Sequence, residues 1–454
     1  MTSITRQFSQ YLAALGKENF SSEVVLKVKH CLIDYLAAAW CARNDSLGES
    51  YRLLALQLGS RGTHGIIGGS TTCEAFATFA NGALGHVREV DDLHRDSTMH
   101  VGITVFPPLL ALAQTEGFDA SRFIAAVVVG YEAAIRIGQT LGREHYATFH
   151  TTATAGTFGA AAACTSYLGL DPGKMTDALG HAGSQAAGLW QFLSDGALGT
   201  KPLHAGKAAM NGLIAARLAA DGVEGAFHIL EGAKGFGKIA APNADWQKVL
   251  ENIGSEPYMI EEICFKNYPC CGQTHSMLDA LRIIMHENNL SGEDITHVHV
   301  LAYRQAMDLT SNPDPQTLGQ ARFSLPFCMG ILLSSGDLFF NDINEQALRD
   351  ASIRSQSKKI SMEFDEEVDK LFPQTRPCIV IVTDIKGRKY IKRNLYRRGD
   401  PELPMTTQDM EKKFESLTSG ILLPEAAKAV LDWAENIERQ TEIPEFVFSG
   451  NVRL

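Results

Sequence analysis

Apolar residues in the first half of the chain recur at intervals of three and four with no sustained alternation, and this spacing predicts a succession of helices. Residues 21–41, 120–141, 152–168 and 202–220 are the clearest segments, and Gly142 and Gly222 fall where turns should bound them. Small residues crowd these segments, as in Gly156-Thr157-Phe158-Gly159-Ala160. Short side chains let helix axes approach closely, so a closely packed bundle is expected. After about Glu256 the texture changes. Val298, Val300 and Ala302 alternate with His297, His299 and Leu301, the period of a strand over 296–303. Residues 378–385, a Lys386-Gly387 turn and 388–396 read as a β-hairpin. Between them, 320–334 and 344–353 look helical, and helical spacing returns over 409–417 and 424–439. The pattern predicts a mainly α protein. A large all-helical domain is built from both chain ends, residues 1–264 and 404–454, with a smaller α+β domain inserted at 265–403.

The chain has 454 residues, 45% of them apolar, which is enough for a sizeable core and two or three domains. Its net charge of -11 makes it a poor binder of nucleic acid or of an anionic membrane. The most apolar window, 123–137, is interrupted by Glu132 and Arg136 and is too short to span a bilayer. Residues 1–20 have no basic start followed by an apolar run, so no secretory leader is expected. Nine cysteines without framework spacing suggest a reducing compartment. The expectation is a soluble, cytoplasmic protein without nucleic-acid or membrane partners.

Charge is concentrated between His86 and His100, where three histidines, four acids and two arginines lie between apolar stretches. Charge that dense either faces water or lines a cleft. Three further clusters favour the cleft: one around His150, one at Lys201, His204 and Lys207, and one from Lys266 to His275. Pro202 suits the first turn of a helix, which puts Lys201 and His204 at the positive end of the macrodipole. That is the reverse of the usual placement of cations, and such an end is an anion site; a lysine reaching to water beside a surface turn is the bland alternative. Asp91-Asp92-Leu93-His94 offers possible metal ligands, but no paired spacing supports them and no metal is expected. Acid–base use is more natural, with a carboxylate orienting His100. Gly232-Ala233-Lys234-Gly235-Phe236-Gly237-Lys238 has phosphate-loop spacing, but Ile239 stands where Ser or Thr should hold magnesium. Vicinal Cys270-Cys271 suggests a polarisable pocket lining, because adjacent cysteines rarely form an unstrained disulfide.

In order and spacing these clusters resemble the MmgE/PrpD family. The resemblance rests on Asp91-Asp92 to His100, Val129-Gly130-Tyr131-Glu132, Phe149-His150, Thr200-Lys201-Pro202-Leu203-His204, Lys266-Asn267-Tyr268-Pro269 and Ala321-Arg322-Phe323-Ser324. It implies a large helical domain with an α+β lid, a homodimer, no organic cofactor, and small di- or tricarboxylate substrates. Matched motif by motif, it points to Asp91, Asp92, His100, His150, Lys201 and Lys266. Cys271 lies where the decarboxylase branch has a histidine and Phe327 where it has a tyrosine; Leu93 and Val101 replace a threonine and a proline. These departures argue against cis-aconitate decarboxylation.

The family's reactions share the making or protonating of a carbanion beside a carboxylate. Lys201 and Lys266 would offset the developing charge, with His204, Lys207 and His275 as further substrate-binding residues. His100 and His150 would serve as acid and base, with Asp91 and Asp92 orienting His100 or a neighbouring backbone turn. The reading is a dehydratase-type lyase acting on a small polycarboxylate. An epimerase of an amino- or imino-dicarboxylate comes second, with Cys271 as acid–base partner on one face. A cis-aconitate-type decarboxylase and a silent metabolite-binding scaffold complete the alternatives.

Overall fold

A computed structural model describes residues 3–451. It divides into two units, one formed by the chain up to Cys264 and again from Thr407, the other by Phe265–Thr406.

The first unit is helical apart from a short hairpin, His64–Ile66 with Ser70–Thr72. At its centre lies the helix Thr151–Tyr167, buried on every face over 151–165. A helix without a polar stripe can exist only inside a bundle, and its small residues allow that. A Cβ on Gly159 would stand 2.8 Å from the Gly130 carbonyl oxygen and 2.6 Å from Ala134 Cβ. The helices Ala120–Tyr146 and Lys201–Ala220 therefore lie directly against it. The expected end of the first of these is seen as a break: Gly142 has φ 64°, and the chain turns helical again as far as Tyr146. Entry points follow the sequence. Asp119 accepts the Arg122 amide, and Asp171 accepts those of Gly173 and Lys174 with Pro172 in the first turn. The C-terminal helices Thr407–Thr418 and Pro424–Glu435 both pack on Ser22–Cys41, so the two chain ends build one body.

The second unit carries a four-stranded sheet in the order Ile360–Phe364, Ile295–Ala302, Cys378–Asp384, Lys389–Asn394. The first pair is parallel and the others antiparallel. Cys378, Val380, Val382 and Asp384 are buried on one face, with less buried residues alternating between them, as a half-covered strand requires. Gly387 makes the hairpin turn with φ 78°. Ile360–Phe364 was not anticipated; it is short and borrows its pairing from a strand far away in sequence. The helical stretch expected at 320–334 is two helices, Leu318–Arg322 and Leu325–Ser335, because the Ser324 side chain accepts the Phe327 amide and Pro326 begins a new turn. Asp350 divides 344–353 in the same way, capping Ala351–Ser357. Among the described residues, no helix is long and apolar enough to cross a membrane.

Candidate active site

In the helical unit, helix ends bring imidazoles together. His86 closes Glu74–His86, His100 stands two residues before Gly102–Glu116, His150 is the N-cap of Thr151–Tyr167, and His204 lies in the first turn of Lys201–Ala220. Close packing places the first and last of these helices side by side: a Cβ on Gly82 would be 3.1 Å from Gly206 Cα. The segment joining His86 to His100 holds two left-handed non-glycine residues, Glu89 (φ 54°) and Thr98 (φ 49°). Such backbone persists only where its surroundings over-determine it.

Asp91 is the hub. Its carboxylate lies 3.0 and 3.1 Å from His86 Nδ1 and 2.9 Å from His100 Nδ1. Burial pushes its pKa up, but the neighbouring His100 and His86 outweigh that and hold it well below the usual carboxylate range. The ring of His86 is 4.7 Å from that of His100 and 5.9 Å from that of His150, nearly parallel to the latter. His86 is fully buried, and its Nε2 has no hydrogen-bond partner among the described residues. His100 keeps 13% of its side chain exposed.

His150 has the opposite electrostatics. Burial, then Lys201 and the other three imidazoles, push its pKa well below the ordinary histidine value, so it is neutral at pH 7. Its Nδ1 is 3.2 Å from His204 Nδ1, so one of the two nitrogens donates and the other accepts. His204 is also pushed down, by burial and by Lys201. Trp190 covers His150 at 4.5 Å between ring centroids, and the His150 amide donates to the Gly188 carbonyl.

Asp92 points away from the imidazoles. Its Oδ1 accepts the amides of Val101 and Gly102, and its Oδ2 accepts the Tyr131 hydroxyl at 2.6 Å. It thus caps Gly102–Glu116. Only glycine fits at 102, because a Cβ there would stand 2.9 Å from Tyr131 Oη. Burial and then the nearby Asp34 push Asp92 up to about 7. Of the two places expected for these acids, Asp91 lies on the His100 ring and Asp92 on the neighbouring backbone, at the helix start that follows.

Lys201 is the first residue of its helix, and its ammonium pairs with the exposed Glu89 carboxylate at 2.7 Å. Lys207, expected beside it in substrate binding, lies on the exposed face of that helix. His94 is engaged with Ser97 and Glu262 and is not a partner of Asp91. One ligand atom each from His86, Asp91 and His100 lie within 4.8 Å of one another, so among the described residues this trio is the set that could accept a metal ion.

In the second unit, Lys266 and Cys271 are half-buried on the loop that leads into the helix His275–Glu287. Burial pushes the Cys271 thiol up, which keeps it protonated at neutral pH. Burial would do the same to Cys270, but hydrogen bonds from Cys328 and His275 outweigh it and lower its pKa. His275, expected to bind substrate, is buried, and its Nε2 is hydrogen-bonded to the Cys270 carbonyl at 3.2 Å. It braces the loop. Sequence reasoning had not selected His86, Tyr131 or Trp190 as site residues. His86 carried a signal as the first histidine of the charge-dense segment, and Tyr131 as a member of the Val129–Glu132 motif; Trp190 carried none.

Both halves of the chain match family models. The MmgE/PrpD N-terminal domain covers residues 6–249 and the MmgE/PrpD C-terminal domain residues 268–439. The chain is similar to cis-aconitate decarboxylase from Homo sapiens, 26% identical over 459 residues that cover 96% of this chain and 92% of the relative. The Mus musculus cis-aconitate decarboxylase is 24% identical, covering 96% and 91%. A relative of the same name from Aspergillus terreus is also 24% identical, covering 97% and 94%.

Proposed function

The chain belongs to the MmgE/PrpD family, and we propose that it is a lyase that makes or protonates a carbanion beside a carboxylate of a small di- or tricarboxylate. The observation that carries this reading is the ionised Asp91 shared by His86 and His100, next to a His150 held neutral. Two imidazoles in opposed electrostatic settings are what a reaction needs when one group takes a proton and another gives one.

For loss of water, the neutral His150 takes the proton from the carbon beside the carboxylate. The electron pair moves toward that carboxylate, where Lys201 offsets the charge after exchanging Glu89 for substrate. His100, its proton stabilised by Asp91, donates to the leaving hydroxyl, so water departs and a carbon–carbon double bond forms. Lys266 and Cys271 are proposed contributors on the motif match alone, and a homodimer on the family resemblance. A second reading, loss of carbon dioxide followed by protonation of the carbanion by His100, is favoured by the names of the relatives. It needs one proton donor and leaves His150 without a task.

Proton NMR of the protein with citrate-, aconitate-, malate- and aspartate-like carboxylates tests the reading. A new alkene signal supports dehydration, and release of carbon dioxide with a new C–H supports decarboxylation. Turnover should fall about 10²–10³-fold in Lys201→Ala. No turnover across the panel, or full activity in that variant, would overturn the proposal.

A further inference from the structure

Asp34 and Lys413 are 379 residues apart in sequence and meet in the interior of the helical unit, with 0% and 2% of their side chains exposed. Asp34 interrupts an apolar run on Ser22–Cys41; Lys413 comes from Thr407–Thr418. The ammonium donates to Asp34 Oδ1 and, at 2.8 Å, to the Val90 carbonyl. The backbone amide of Asp92 lies against the same Asp34 carboxylate. The ion pair thus touches the peptide units on either side of Asp91.

Nothing about stability calls for such a pair. Two buried ions cost desolvation that their attraction seldom repays, and an apolar pair of similar volume is often as stable or more so. The return lies in where the charges reach. Val90, Asp91 and Asp92 follow directly on the left-handed Glu89, a backbone that needs to be held. The Asp91 side chain has to stay within hydrogen-bond reach of two imidazoles at once.

We propose that Asp34 and Lys413 are positioning residues for the acid–base centre: clamping the backbone on both sides of Asp91, they set its carboxylate between His86 and His100. The proposal rests on the lyase reading for its functional part, while the clamp itself stands apart from it. It also gives the last segment of the chain a share in the site, since Lys413 lies on its first helix.

The test is the double variant Asp34→Leu/Lys413→Met, which leaves no buried charge unpaired, in the full chain. Amide hydrogen exchange across 86–102 should be at least about tenfold faster than in the wild type, while 151–165 keeps its protection and the denaturation midpoint does not drop. With the carboxylate turned over by the wild type, kcat should fall about 10–100-fold at a KM changed less than about threefold. Unchanged exchange across 86–102 would overturn the clamp. Faster exchange with unchanged kcat would overturn the positioning role. If the wild type turns over no carboxylate, the lyase reading fails, and the exchange result still decides whether the pair holds this turn.

Discussion

Asp91 and Asp92 are consecutive, equally buried carboxylates that serve two different regions. On the imidazole side, Asp91 meets two ring nitrogens and is held ionised. On the helix side, Asp92 meets two amides and a phenol, none of which carries a charge, and lies near Asp34; it is pushed up to about 7. Hydrogen-bond number does not explain the difference, since Asp92 has three such partners and Asp91 two. What does is whether the partners can bear positive charge, since burial raises both acids and only the imidazoles supply a counter-charge large enough to reverse it. The contrast supports the proposal that one acid serves the chemistry and the other the architecture.

Replacing each acid in turn is the sharpest way to break that contrast. Asp91→Asn should lower kcat about 10²–10⁴-fold, because the charge that stabilises a proton on His100 is gone. Asp92→Asn keeps an acceptor for the helix amides and should lower kcat less than about tenfold. Equal losses would remove the distinction.

The two acids should also differ in how stability varies with pH. Folded Asp92 holds its proton up to about 7, whereas the unfolded chain releases it near ~3.9. The native state binds more protons across that window, so the stability contributed by Asp92 falls as pH rises through it, by at most roughly 1.4 kcal/mol per pH unit. Asp92→Asn should therefore gain stability relative to wild type between pH 4 and about 7. For Asp91 the sign reverses. Its folded pKa is depressed, so its contribution is complete above ~3.9 and is lost as pH falls through the folded value; Asp91→Asn should flatten the acid limb. Denaturation midpoints from pH 3 to 8 read both slopes. The smallest effect is expected from Tyr131→Phe, which removes one hydrogen bond from Asp92: about 1 kcal/mol of stability with little change in kcat. A large loss of activity there would draw Asp92 into the chemistry.

Much of the fold was legible in the sequence because it follows from local pattern. Three-and-four spacing and dense small residues marked 152–168 as a helix of a closely packed bundle, and alternation marked the strand at 296–303. The site was legible in part. His100, His150 and Lys201 carry motif spacing, and the structure brings all three to one cluster. His86 was visible but could not be chosen, since its value depends on the chain folding back so that Asp91 faces the end of Glu74–His86. The contact between His150 and His204 spans 54 residues, and that between Asp34 and Lys413 spans 379. No local pattern reports such pairings. Lys207 misled for the converse reason: close to Lys201 in sequence, it faces out from the same helix.

The most direct test of the central claim follows solvent deuterium, by NMR, into the carbon beside the substrate carboxylate under wild-type protein, His150→Ala and Lys201→Ala. Label should enter under the wild type and be lost in both variants, which lack the group that moves the carbon-bound proton and the one that offsets the carbanion's charge. Label entering at the wild-type rate in either one would contradict the assignment of that proton transfer to His150 beside Lys201.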